Sequence, residues 1–470
     1  MPGNKPNILF LMSDEHRRDI LGYAGDPIVR TPRLDALAET GVVFTQAYTP
    51  SPICIPGRQA MMSGQLPRTC GVESFGQDLA PGYMTFARRL AQYGWHTVAA
   101  GKLHHTGPDQ MQGWIQRLGS EIRMADHRIE DRDEASFAPY AETFRRHKWS
   151  DTKEILRAGV GRPPSHVADE YALQGTLNFI RDHFTDPYFD RARPERPVLL
   201  KVSFNQPHYP YLTDQGRFEY YLNRVRPYLD EPVFDHPFLS QRQVDVGTDV
   251  TERDMQRATA AYYGMIETID EYYGIVLDAL KAAGQDLDEW IIIYTSDHGE
   301  MLGEHGLWEK QKFFEASVGV PLFIRWPAGF GSEGRTVREN VNLCDLFATL
   351  CDFTSVPTPD GLDSRSLALL CQGDSSDWSG ESVSQFGGRN LMIKQDDLKY
   401  QYYGPDMPEV LFDLARDPQE RVNLIEDPTY ADDYKRFRQR CGELGFGPDT
   451  RVAAPFAQER VKPSGSQRRN

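Results

Sequence analysis

Five short, almost uninterrupted apolar runs, at residues 8–12, 97–100, 198–204, 291–295 and 320–326, constrain this chain more than any other feature. A strand with one wet face alternates polar and apolar residues, whereas a run without alternation needs cover on both faces. Their length is that of strands, and their Val, Ile, Thr and aromatic content favours extended backbone. Segments of helical pattern lie between them: Pro32–Glu39, residues 85–93, and a long stretch at 259–283 that stops at Gly284. Strand and helix in alternation specify an α/β chain, with a large mixed, mostly parallel sheet sandwiched by helices.

At 470 residues, 40% hydrophobic and 11% aromatic, the chain is too long for one small core. The alternation is expected to fill an α/β domain over residues 1–375. Beyond it the texture changes to short strand-like runs at 391–393, 398–403 and 409–414, then a helical pattern at 430–444. This reads as a small C-terminal subdomain, 376–455, of antiparallel sheet plus one helix. The polar residues 456–470, with Pro, Gly and Ser, read as a disordered tail.

The formal net charge of -16 argues against nucleic acid or an anionic membrane surface as partner, because a diffuse negative field repels polyanions. An anionic substrate must therefore meet a local cationic pocket. No run approaches the roughly 18 apolar residues of a membrane helix, and the first residues lack the pattern of a leader. Six cysteines (Cys54, Cys70, Cys344, Cys351, Cys371, Cys441) are scattered without metal-ligand spacing, as suits a reducing compartment. The expected location is cytoplasmic.

In open α/β sheets, sites form where loops converge at the carboxyl ends of the strands. The polar punctuation falls there: Asp14 and Glu15 after the first run, Lys102 and His104 after the second, His208 after the third, Asp297 and His298 after the fourth.

The sharpest local feature is Cys54-Ile55-Pro56-Gly57-Arg58, continued by Gln59-Ala60-Met61-Met62-Ser63-Gly64. Here the chain resembles the sulfatases, a branch of the alkaline phosphatase superfamily, in which a Cys-x-Pro-x-Arg core is oxidised at the cysteine to formylglycine by a formylglycine-generating maturation enzyme. The resemblance runs in order through residues 7–14, the cysteine motif, Gly101-Lys102-x-His104, Gln206-Pro207-His208 and Ser296-Asp297-His298-Gly299-Glu300. Gly101-Lys102-Leu103-His104 with Gly107-Pro108-Asp109-Gln110 is most similar to the bacterial choline sulfatases, and Asp297-His298 to both these and phosphonate monoester hydrolases.

The resemblance implies an alkaline-phosphatase-like core and a sulfuric ester hydrolase acting on a small organic or carbohydrate O-sulfate. It implies Asp14, Asp297, His298 and the modified Cys54 as ligands of a divalent metal, calcium first and manganese as the other ion admitted. Glu15 occupies a position where many sulfatases carry a second liganding Asp, whereas the choline sulfatase branch has a residue that need not bind. It is carried as an additional candidate ligand. Hydrated formylglycine has two hydroxyls, one to attack sulfur and one whose deprotonation, assigned to His104, expels sulfate. Arg58 would hold the formylglycine, Lys102 neutralise charge beside the metal, and His208 and Lys310 receive the sulfate and leaving oxygens. Lys310 is preferred over Lys312 because it stands just before Phe313-Phe314-Glu315, as the family's lysine precedes an aromatic-acidic pair.

Three expectations remain open in the sequence. The charged region 114–164, with Trp114, Tyr140, Phe144 and Trp149, reads either as a substrate-selecting insertion that cages a cation or stacks on a sugar, or as packing beneath a long loop. A phosphonate monoester or phosphodiester hydrolase with the same formylglycine and metal is the alternative function, and a silent binder of sulfated ligands a third. Self-association into a homo-oligomer is left open.

Overall fold

In a computed structural model, which describes residues 5–119, 151–185, 196–229, 231 and 234–447, the apolar runs form the middle of an eight-stranded sheet. Its strands are β1 (Ile8–Asp14), β2 (Val42–Phe44), β3 (His96–Gly101), β4 (Gln116–Leu118), β5 (Val198–Pro207), β6 (Ile291–Ser296), β7 (Leu322–Arg325) and β8 (Arg335–Val337). They lie in the order β8-β2-β7-β6-β1-β5-β3-β4. β1 runs parallel to β5 and β6, and β3 parallel to β5 and β4. β7 enters antiparallel to both β6 and β2. Its residues are buried like those of its parallel neighbours, so the sequence run did not announce its direction.

Both faces are covered, as the runs require. Ile8, Phe10, Met12, Ile291 and Ile293 point to one face, against Met61 and Met62 of helix α2, Phe86 and Leu90 of α3, and Phe347 and Leu350 of α6. The alternate residues Leu9, Leu11, Ile292 and Tyr294 point to the other, against Leu34 and Leu37 of α1, Phe179 and Ile180 of α4, and Tyr273, Val276 and Leu280 of α5. These helices are α1 (Pro32–Glu39), α2 (Cys54–Ser63), α3 (Phe86–Gln92), α4 (Pro164–Thr185), α5 (Glu252–Ala282) and α6 (Leu346–Phe353). Each fully buried aliphatic or aromatic side chain contributes on the order of 2 kcal/mol. α5 begins two turns before its apolar periodicity because Thr251 and Asp254 form a reciprocal capping box.

A second, antiparallel sheet follows the chain order: β9 (Glu381–Phe386), β10 (Asn390–Gln395), β11 (Leu398–Tyr402) and β12 (Val410–Asp413). Ile393, Tyr400 and Tyr402 face helix α7 (Ala431–Glu443) through Phe437 and Cys441. Met392, Val410 and Phe412 face the other way, onto Tyr48, Met301, Phe313 and Phe314. The Gln385 amide donates to the Pro50 carbonyl, which seats the edge of this sheet beside the segment leading to Cys54. β9 was not anticipated, because its sequence is largely polar and Val383 is its one fully buried apolar residue.

Trp114 packs in the main core, edge-on to Phe86 at 6.2 Å, which is the packing alternative for that residue. Tyr140, Phe144, Trp149 and the 456–470 tail lie outside the described residues. Among the described residues no helix is long and apolar enough to cross a membrane.

Candidate active site

The two central strands deliver the carboxylates. β1 ends on Asp14 and β6 gives way to Asp297 and His298, so the three side chains emerge side by side at the carboxyl edge of the sheet. Cys54 is the first residue of α2, and Arg58 lies one turn further along. All five are buried.

Arg58 and Lys102 organise this group. The Arg58 guanidinium donates to Asp297 Oδ2 at 2.7 Å, to Asp14 Oδ2 at 3.0 Å, and to the Lys102 carbonyl and Ser203 Oγ. Lys102 pairs with the same Asp14 Oδ2. The inner oxygens are thereby turned toward Cys54. Its Sγ lies 3.8 Å from Asp14 Oδ1 and 3.2 Å from His298 Nε2. His298 Nδ1 meets the Gly299 carbonyl at 3.0 Å, which requires the proton on Nδ1 and leaves the Nε2 lone pair aimed at Cys54. One donor atom each from Asp14, Cys54, Asp297 and His298 lies within 4.8 Å of the other three. Burial would push Asp14 up, but the charges of Lys102 and Arg58 hold it well below the usual carboxylate range. Burial and the neighbouring Asp14 push the Cys54 thiol up to about 12, so the unmodified side chain is protonated.

A second group adjoins the first. Lys310 Nζ donates to Glu15 Oε2 at 2.7 Å and to His208 Nε2 at 2.9 Å, and lies 4.5 Å from the centre of the Tyr209 ring. His208 Nδ1 meets the Tyr209 carbonyl at 2.7 Å, so that ring is neutral, with its proton on Nδ1. Burial, then Lys310 and Lys102, keep His208 well below its ordinary value. Burial disfavours both charges, pushing the Glu15 carboxyl well up, but the 2.7 Å contact between two groups shielded from water favours the ion pair, and Glu15 holds Lys310 well above its ordinary value. Lys312 points elsewhere, donating to the Phe238 carbonyl at 2.5 Å with its ammonium 4.1 Å from that ring's centre. His305 stacks on Phe314 at 3.9 Å. The His104 ring is edge-on to Phe75 at 5.8 Å.

Four residues next to these side chains adopt left-handed backbone: Glu15 (φ 65°), His104 (57°), Glu309 (64°) and Gln311 (76°). Outside glycine this costs about 1–2 kcal/mol each, so neighbouring contacts must hold them. Each has one. The Glu15 amide donates to Asp297 Oδ1, the His104 carbonyl accepts from Gln59, the Glu309 amide donates to Glu300 Oε1, and the Gln311 amide donates to the Pro52 carbonyl.

Two buried carboxylates without an assigned role in the sequence reading do the clamping. Glu300 Oε1 accepts from the Leu302 and Glu309 amides while Oε2 accepts from Tyr211, which fixes the loop that presents Lys310. Asp169 of α4 accepts four hydrogen bonds, from the amides and side chains of Asn205 and Gln206, and so fixes the turn that presents His208. Glu300 stood inside the matched Asp297-His298-Gly299-Glu300 segment, whereas Asp169 had no signal beyond being a polar residue in a helix.

Known proteins resemble this chain over most of its length. The profile of the sulfatase family matches residues 6–356, and that of the N-sulphoglucosamine sulphohydrolase C-terminal region matches residues 303–445. A choline-sulfatase of Rhizobium meliloti is 30% identical over 441 residues, covering 91% of this chain and 84% of its own length. An arylsulfatase of Clostridium perfringens is 29% identical over 463 residues, covering 92% and 93%. The fold is that of the phosphonate monoester hydrolase of Agrobacterium radiobacter (TM-score 0.75, 22% identity, covering 94% and 95%). It is equally that of a protein solved in complex with its substrate D-glucosamine-2-N,6-O-disulfate (TM-score 0.75, 19% identity, covering 94% and 97%).

Proposed function

Since the chain belongs to the sulfatase family and is a sulfuric ester hydrolase, we propose that it removes sulfate from a small organic or carbohydrate O-sulfate at the site around Cys54. The observation that carries this reading is the convergence of Asp14, Asp297 and His298 on Cys54 Sγ, with a buried lysine–histidine pair beside them.

The donor set fits a divalent cation. Two carboxylates held by cations on their outer oxygens, an imidazole with a fixed tautomer and the side chain at position 54 would hold it. The oxygens accept calcium, our first assignment, and the imidazole admits manganese. Such an ion supplies Lewis acidity and lowers the pKa of a hydroxyl beside it. Formylglycine, made from Cys54 by the maturation enzyme, supplies the nucleophilic oxygen and a second hydroxyl through which sulfate is released.

The chain's own residues do the rest. Arg58 keeps Asp14 and Asp297 at fixed separation, and Lys102 offsets the charge of Asp14. His104, which follows Lys102 on the same loop, is the base that takes the second hydroxyl's proton. His208 accepts at Nε2 from Lys310, so the transferable proton resides on Lys310, and Lys310 is the general acid for the leaving oxygen. All six cysteines are free, which supports a cytoplasmic location.

A phosphonate monoester or phosphodiester hydrolase is the second reading, favoured by His298 as nitrogen donor and by cations that do not distinguish sulfur from phosphorus. Protein co-expressed with the maturation enzyme separates the two. The sulfatase reading predicts that kcat/KM for 4-nitrophenyl sulfate exceeds that for the 4-nitrophenyl ester of phenylphosphonate by more than about tenfold. The reverse order overturns it.

A further inference from the structure

Glu15 sits where the sequence admits a metal ligand, yet its geometry belongs to the other side of the site. The four-donor group of Asp14, Cys54, Asp297 and His298 does not include it; Glu15 groups instead with Asp14 and His208. The space between Glu15 and His208 is already taken by a cation, because the Lys310 ammonium stands 2.7 Å from Glu15 Oε2 and 2.9 Å from His208 Nε2. Glu15 Oε2 also lies 3.4 Å from His208 Nε2, so the three groups form a closed triangle. Two hydrogen bonds of the Glu15 backbone pin it there, its amide to Asp297 Oδ1 at 3.1 Å and its carbonyl from Tyr262 at 2.6 Å.

We infer that Glu15 is a positioning residue that fixes Lys310 and His208 on the sulfate-binding side, and is not a ligand of the metal. A lysine stem has four rotatable bonds, and an ammonium that must meet a leaving oxygen gains from one charged partner that selects a single rotamer. Burial of both groups makes that partnership strong, since neither can exchange it for water. The inference rests on the sulfatase reading for its catalytic half, since Lys310 is the proposed acid. Glu15 Oε1, buried without a hydrogen-bond partner among the described residues, is the atom through which a fifth metal ligand would act instead.

The test uses the matured full-length chain and the variants Glu15→Gln, Glu15→Ala and Lys310→Ala, with Mn2+ as the metal probe and two esters of unequal leaving group. Calorimetric titration is expected to give an Mn2+ Kd within about twofold of wild type for both Glu15 variants, because an outer residue leaves the ligands in place. kcat for a simple alkyl sulfate is expected to fall about 10- to 100-fold in Glu15→Ala and less in Glu15→Gln, whose amide oxygen still accepts from Lys310. For 4-nitrophenyl sulfate, whose leaving oxygen needs little protonation, the fall is much smaller, and Lys310→Ala shows the same contrast. An Mn2+ Kd raised about tenfold or more in both Glu15 variants makes Glu15 a ligand and overturns the inference. Equal losses on both esters overturn it as well, since a merely structural defect does not sense the leaving group. A wild-type chain that hydrolyses neither ester fails the sulfatase reading, while the metal titration still decides where Glu15 belongs.

Discussion

Arg58 joins both buried carboxylates of the site, and its loss measures how much repulsion the site contains. With no metal present, Arg58→Ala leaves Asp14 and Asp297 without their shared partner, and the expected cost is about 3–5 kcal/mol in chemical denaturation. A loss below about 1 kcal/mol would mean that Lys102 alone balances Asp14. The two lysines near the site give a second contrast. Lys310→Ala is expected to lower kcat for a simple alkyl sulfate by about 10²- to 10⁴-fold, whereas Lys312→Ala, whose ammonium engages Phe238, stays within about tenfold. Comparable losses in steady-state kinetics would contradict the assignment of Lys310. Most candidate residues were legible because they stand at strand ends or in one contiguous motif, where residue type and place argue together. Asp169 was not, because a carboxylate that acts by accepting backbone hydrogen bonds from a distant turn looks in sequence like any polar helix residue.

At the scale of elements, the site is built from turns that strand ends do not hold by themselves. The last residues of β5, which lead into His208, are held by Asp169, and burial pushes that carboxyl up to about 6 against the hydrogen bonds it accepts. Its folded pKa exceeds the unfolded value near 3.8, so the folded state binds the proton more tightly. The stabilisation from protonated Asp169 is complete below about pH 4 and is lost as pH rises through about 6, a span of about 3 kcal/mol. Asp169→Asn removes this slope, which urea titrations from pH 4 to 8 would read; identical slopes in both proteins would contradict it. Among elements, the long apolar strands were readable, while β2, β4 and β8 at three residues each are too short for any periodicity to show.

Across the whole molecule, the second sheet is locked to the first by buried charge as well as apolar contact. Lys399 of β11 pairs with Glu315 at 2.9 Å and Glu420 at 2.7 Å, and Glu315 also takes Arg18 at 2.5 Å. Burial pushes Glu420 up to about 7, while Lys399 and Arg18 hold Glu315 down to about 2 despite its burial. Lys399→Met strands two acidic groups in a dry interface and is expected to cost about 3–5 kcal/mol by denaturant titration, with a loss under about 1 kcal/mol contradicting the lock. Glu315 follows Lys310 by five residues, so this interface borders the loop that carries Lys310 directly. The sequence displayed Phe313-Phe314-Glu315 as a marker for Lys310, but its partner Lys399 lies 84 residues away and only the fold brings the two together. All of the chemistry proposed for the molecule depends on position 54. The deciding measurement is therefore peptide mass spectrometry across Cys54, after co-expression with a formylglycine-generating enzyme and digestion without alkylation. The account predicts a peptide lighter by ~18 Da, as thiol becomes aldehyde. An intact thiol in protein that still hydrolyses sulfate esters at full rate would contradict it.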